Sequence, residues 1–225
     1  MIRIEELAVG YNKKPVFSRL SFSASSKNSP IILAGRNGSG KSSLLKAIAG
    51  FIKPISGKIE FESEKSGIAW LPQHFRVTLQ IPVLDFVCMG CEKPGKFLSI
   101  RPDDAMTKSM DALQKLGIEA LANKNTEELS GGEWQLVCLA QMLVQDANIW
   151  LLDEPTASLD IGHKRKVLNL LWEEAKGGKT IILSTHDLPF LPESGGSFLF
   201  VSEEPEFFPN LPEERRSLLQ KLENL

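Results

Sequence analysis

Short, wholly apolar runs alternate along the chain with segments whose apolar residues recur every three or four positions, the pattern of strands and amphipathic helices in succession. Ile2, Ile4 and Leu7, then Phe17, Leu20 and Phe22, predict two strands near the start, and Ile31-Ile32-Leu33-Ala34 predicts a buried parallel strand. That run enters Gly35-Arg36-Asn37-Gly38-Ser39-Gly40, after which Leu44, Leu45, Ile48 and Ala49 lie at helical spacing and Gly50 can close the helix. Between Ser56 and Gln73, Ile59 and Phe61 alternate with Lys58, Glu60 and Glu62, and Ile68-Ala69-Trp70-Leu71 forms another short apolar run. This pair suggests a hairpin or a small antiparallel sheet.

From about 76 to 145 the pattern turns helical. Met106, Met110 and Leu113 share a helix face that Gly117 ends, and a second amphipathic stretch runs from Gly131 to Val144. Ile149-Trp150-Leu151-Leu152 then predicts a buried strand, Val167, Leu168, Leu171 and Trp172 a helix ended by Gly177-Gly178, and Thr180-Ile181-Ile182-Leu183-Ser184 a further strand. Strands alternating with helices predict a mostly parallel α/β sheet. The expected organisation is a single domain over 1–225, with a core of about 1–75 and 146–225 and a helical subdomain of about 76–145. Leu218, Leu219, Leu222 and Leu225 predict a charged C-terminal helix packing on its own domain.

The 225 residues suffice for one sizeable core, and 42% hydrophobic with 24% charged residues describes an ordinary globular domain. A net charge of -2 supplies no broad basic field, so no nucleic-acid partner is expected. No apolar run approaches the ~18 residues of a membrane span, and Glu5-Glu6 turns the start acidic too early for a secretory signal. Cys88, Cys91 and Cys138, odd in number, favour reduced thiols in a cytoplasmic compartment. Cys88-Met89-Gly90-Cys91 invites a metal reading, but structural zinc needs four ligands and Cys138 alone remains.

Gly35-Arg36-Asn37-Gly38-Ser39-Gly40-Lys41-Ser42 fits G-x-x-x-x-G-K-[ST] between a predicted strand and helix. Glycines let backbone amides converge on phosphate oxygens, and the helix turns its positive end toward the same charge. Lys41 can act on the outer phosphates; Ser42, followed by Ser43, can offer its hydroxyl to Mg2+. Asp153 and Glu154 end an apolar strand, where a parallel sheet opens its ligand crevice. Asp153 can hold magnesium through water, and Glu154 points where water could attack the terminal phosphate.

Leu129-Ser130-Gly131-Gly132-Glu133-Trp134-Gln135 resembles the signature motif of ATP-binding-cassette (ABC) ATPases and lies in family order between the glycine loop and the acidic strand end. The resemblance spans about Ile2 to His186. It implies a P-loop ATPase core with a parallel sheet, an antiparallel β subdomain and an inserted helical subdomain. It also implies that Ser130, Gly131 and Gly132 meet ATP held by the glycine loop of the opposite subunit. Gln73 resembles the Q-loop glutamine that senses magnesium and attacking water, Asp160 in Ser158-Leu159-Asp160 the D-loop at the dimer interface, and His186 the switch histidine on the terminal phosphate. Tyr11 is similar to the aromatic that stacks on adenine; an edge-strand filler is its other reading. His74 and His163 match no motif and are expected to be solvated.

The family further implies ATP and Mg2+ as cofactors, and a homodimer or a heterodimer with a similar ATPase subunit. The dimer would dock on transmembrane permease subunits at the inner face of the cell membrane, fed by a solute-binding protein. Ile81 to Gly90 is similar to the segment in importers of iron chelates, haem, cobalamin and zinc, and Glu133-Trp134-Gln135 resembles the cobalamin importer's signature. Leu136 stands where many members have arginine. An exporter or lipoprotein-release ATPase, or an ABC ATPase used off the membrane, is the alternative. A GTPase is disfavoured: Asn123-Lys124-Asn125-Thr126 lacks the aspartate that reads guanine, and residues 129–135 go unexplained.

Overall fold

The computed structural model describes residues 1–12, 14–62, 67–73, 75–76, 80–92, 101–192 and 196–208. The predicted C-terminal helix and His74 lie outside them. Strands β1 (Ile2–Tyr11), β2 (Lys14–Ala24) and, later in the chain, β4 (Ser56–Phe61) form an antiparallel sheet in the order β2-β1-β4. The second sheet joins β3 (Ile31–Ala34), β5 (Ile68–Leu71), β6 (Ile149–Asp153), β7 (Thr180–Ser184), β8 (Ser197–Phe200) and β9 (Glu206–Phe208) in the order β5-β6-β7-β3-β8-β9. All its pairings are parallel except that of β9 with β8.

Of the two arrangements expected for this stretch, a hairpin or a small antiparallel sheet, β4 joins the antiparallel sheet and no β4–β5 hairpin forms. β4 pairs with β1, Ile4 opposite Ile59, whereas β5 crosses to the other sheet and runs parallel to β6, Leu71 opposite Leu152. Alternation along a strand reveals its period but not its partner.

Apolar side chains of the parallel strands alternate between two cores, as the twofold period of a strand requires. Ile31, Leu33, Ile149, Leu151 and Ile182 join Ile2, Ile4, Leu7 and Phe17 of the antiparallel sheet and Leu44, Leu45 and Ile48 of helix α1 (Lys41–Ile48). Ile32, Trp150, Leu152, Ile181 and Leu183 face the opposite core. That side is built by α2 (Val83–Cys88), α3 (Pro102–Leu116), α4 (Gly131–Leu143) and α5 (Ile161–Lys176). Burying a side chain such as Leu33, with no exposed surface, contributes about 2 kcal/mol.

Helix ends fall where the sequence punctuates them. After α1, the Gly50 N–H donates to Ala47 O at 3.1 Å and the Phe51 N–H to Lys46 O at 2.8 Å, a Schellman closure with Gly50 at φ +82°. Helix α3 starts at Pro102 and stops at a left-handed Gly117. At α4, the Glu133 N–H donates to Ser130 Oγ at 3.3 Å while the Ser130 N–H donates to Glu133 Oε2 at 2.8 Å, a reciprocal capping box.

Candidate nucleotide site

Four neighbouring parallel strands, β5, β6, β7 and β3, deliver the predicted groups from their carboxyl ends: Gln73, Asp153-Glu154, His186 and the glycine loop. Tyr11, Asn37, Gly38, Gly40, Lys41, Ser42, Ser43, Gln73, Glu154 and His186 line one cavity of about 720 Å³. Gly35, Arg36 and Ser39 belong to the loop behind that lining; Arg36 O accepts the Ser39 N–H at 3.1 Å. Gly40 enters α1 at φ +105°, and a Cβ there would lie 2.9 Å from both Phe17 and Val16, so the turn demands glycine.

Lys41 is buried at the base of the loop, its Nζ donating to Gly35 O at 2.7 Å and Arg36 O at 3.1 Å. Burial pulls its pKa below the usual lysine value, while the charges of Glu154 and Asp153 pull the other way. Tyr11 is half exposed at the rim, with 3.4 Å between its hydroxyl and Ser43 Oγ.

Asp153 is buried behind the cavity lining, where Ser184 Oγ donates to its Oδ1 at 2.6 Å. The register makes this contact, since Asp153 and Ser184 are directly opposed across β6 and β7. Ser184 also serves Glu154, whose N–H meets Ser184 O at 3.2 Å and Ser184 Oγ at 3.0 Å. Glu154 adopts φ +52°, a left-handed conformation that costs about 1–3 kcal/mol in a residue with a Cβ and turns the chain sharply at the strand end. Its carboxylate reaches His186 Nε2 at 3.2 Å. Burial pushes the Glu154 pKa up, opposed by His186 and Lys41 and reinforced by Asp153. A carboxylate so placed is a stronger base than a solvated one.

The signature residues are elsewhere. Ser130, Gly132, Ser158, Asp160 and His163 line a different cavity, of about 590 Å³. A Cβ on Gly132 would sit 2.9 Å from Ser158 O, so this glycine lets the start of α4 approach the 158–160 loop. Gly131 has open space around its Cβ position. Asp160 caps α5, accepting the His163 N–H at 2.9 Å on Oδ1, and its Oδ2 lies 2.6 Å from His163 Nδ1. His163 is therefore an acid-paired residue rather than merely a solvated one.

A third cavity, of about 340 Å³ and mostly apolar, lies beside Gln73 and includes Phe51, Trp70, Pro72, Phe75 and Met142. Its wall connects to the signature helix: Trp134 Nε1 donates to Phe75 O, its ring stacks on Phe75 at 6.2 Å, and Arg76 Nη2 donates to Leu129 O at 3.0 Å. The Cys88 to Cys91 segment gives no reactive thiol pair with Cys138: burial pushes Cys138 up to about 12 and raises Cys91 as well.

Sequence reasoning missed Lys164 and Asp187, which also line the cavity of Lys41 and Glu154, and Ser184, which holds the Asp153 carboxylate and the Glu154 backbone. Asp187 directly follows His186, and that adjacency was the available signal; nothing local marks Lys164.

The ABC transporter profile matches residues 17–157. The chain belongs to the ABC transporter family of ATPases. It is 37% identical over 193 residues to the "Probable metal transport system ATP-binding protein" of Chlamydia trachomatis, covering 82% of this chain and 74% of that one. It is 35% identical over 196 residues to the manganese transport system ATP-binding protein MntB of Bacillus subtilis, covering 83% and 77%. Among solved structures, a chain of an inward-facing transporter described as of metal-chelate type superposes with a TM-score of 0.80 at 29% identity, covering 97% of this chain and 84% of that chain. The dimeric cassette MJ0796, bound to ADP and Pi, gives 0.80 at 21% identity, covering 94% and 100%, a likeness of fold. The ABC ATPase fold expected from the sequence is thus the one found. No described helix is long and apolar enough to cross a membrane.

Proposed function

We propose that this ABC ATPase energises the import of a metal ion or metal chelate, working as a dimer beneath a membrane permease. The observation that carries the reading is the separation of two half-sites: Lys41, Glu154, His186 and Gln73 share one cavity, and Ser130, Gly132 and Asp160 line another. A second, similar subunit, identical or not, supplies the missing half when Ser130 to Gly132 face the nucleotide bound at Lys41. Relatives named for metal and manganese transport support the substrate class.

In the proposed reaction, Lys41 pairs with the outer phosphate charge and Glu154 accepts a proton from the attacking water as the bond to the leaving ADP breaks. His186 steadies the terminal phosphate, Gln73 contacts the attacking water, and Tyr11 stacks on adenine. Magnesium would be held by the oxygens of Ser42, Asp153 and Gln73, hard donors suited to it, and would neutralise phosphate charge when bound.

The apolar cavity of Phe51, Trp70 and Phe75 suits a short amphipathic helix of the permease, with the helical subdomain of about 76–145 moving on the core about Gln73. The chain then sits peripherally on the inner membrane face, and a solute-binding protein delivers cargo outside. In cells lacking this chain, uptake of labelled manganese, zinc or iron is expected to fall and to be restored by the wild type but not by Lys41→Ala. Unaltered uptake of all three would contradict the substrate class.

A further inference from the structure

Lys164 and Asp187 form an enclosed ion pair, their side chains 19% and 14% exposed. Lys164 Nζ donates to Asp187 Oδ1 at 2.6 Å, and Asp187 Oδ2 accepts from Thr156 Oγ1 at 2.6 Å. Thr156 is fully buried, and the Asp187 N–H donates to Thr185 Oγ1 at 3.0 Å. Beyond the pair, the Phe190 ring lies 5.9 Å from both the Lys164 ammonium and the Arg165 guanidinium, so the segment after β7 is docked on the first turns of α5.

The connectivity gives the bridge its meaning. Thr156 lies two residues after Glu154, and Asp187 lies one after His186. The bridge therefore joins the two backbone segments whose side chains meet as Glu154 Oε1 and His186 Nε2 at 3.2 Å. Charge points the same way. Asp187 borders a cavity that, on the ATPase reading, receives a polyanion, where an uncompensated carboxylate would repel the terminal phosphate; Lys164 cancels that charge at contact distance.

We propose that Lys164, Asp187 and Thr156 form a clamp that fixes the Glu154–His186 spacing, making them positioning residues for ATP hydrolysis. The proposal rests on the ATPase reading. It is tested with the purified full chain by measuring kcat and KM for ATP. Lys164→Met is expected to lower kcat at least tenfold with KM changed less than threefold, and Lys164→Arg to recover kcat to within threefold of wild type. The double variant Lys164→Met, Asp187→Asn should turn over at least threefold faster than Lys164→Met, because the unpaired charge is gone. If Lys164→Met does not fold, Thr156→Val reads the same clamp and should lower kcat at least threefold at unchanged KM. A kcat within threefold of wild type in Lys164→Met, or in Thr156→Val where that variant stands in, overturns the clamp, as does a loss confined to KM. An inactive wild type would overturn the ATPase reading and the clamp together, whereas an active wild type with an indifferent clamp variant removes the clamp alone.

Discussion

At the scale of residues, the nucleotide site holds its charges at a cost to stability. Glu154 is buried in a left-handed conformation with its pKa raised, and Lys41 is buried with its pKa lowered. For Glu154 the folded chain binds its proton more tightly than the unfolded chain, so stability falls as pH rises from the ordinary glutamate value to the raised one and stays lowered above it. For Lys41 the cost is present below its lowered pKa and is relieved as pH rises toward the ordinary lysine value. Near neutral pH both groups therefore oppose folding. Glu154→Gln should abolish turnover and raise the thermal midpoint, by a stability gain of about 1 kcal/mol; a lower midpoint in thermal denaturation would contradict this balance. If Glu154 is the base, the acid limb of the pH profile of kcat/KM, which reports the free enzyme, should lie above the ordinary carboxylate range, and a limb within that range would argue for another group. That Lys41, Glu154 and His186 follow neighbouring strands and share one cavity was legible in the sequence, because their spacing and flanking strands are local. The strain at Glu154 and the Lys164–Asp187 contact were not, since a lysine in the first turn of a helix carries no sign of the loop that folds over it.

At the scale of elements, strand ends and helix starts do the positioning. Opposed register brings Ser184 to Asp153, and the reciprocal cap of Ser130 with Glu133 orients the start of α4. Ser130 caps its helix and, on the proposed function, also faces a partner's phosphate, two roles that substitution can separate. Ser130→Asp keeps a good cap, so thermal stability should hold, but its charge should prevent ATP-dependent closure. Ser130→Ala should lose about 1 kcal/mol from the cap. A dimer that still forms with Ser130→Asp would separate the signature from phosphate. The predicted elements were largely right because capping residues, glycines and apolar periodicity are written locally. The β4–β5 hairpin was not, because two strands adjacent in sequence found partners, β1 and β6, through contacts that only the folded chain creates. The tie from Trp134 to Phe75 was equally hidden, although it connects the apolar cavity beside Gln73 with the signature helix.

At the scale of the whole molecule, the sheet order sets Gln73, Glu154, His186 and the glycine loop side by side, while the helices on the opposite core carry Ser130 to a separate cavity. On the function proposed above, a chain so divided completes its chemistry with a second one, and nucleotide lodged between two such chains joins them until hydrolysis releases the charge that holds the interface. The most direct measurement is the mass in solution of Glu154→Gln by sedimentation, with and without ATP. Glu154→Gln should be a monomer without nucleotide and, with ATP, a dimer retaining two ATP molecules, which Ser130→Asp in the same background prevents. Glu154→Gln that remains monomeric at saturating ATP, or a wild type that hydrolyses ATP at full rate at concentrations where it is monomeric, would contradict a site completed by a second chain.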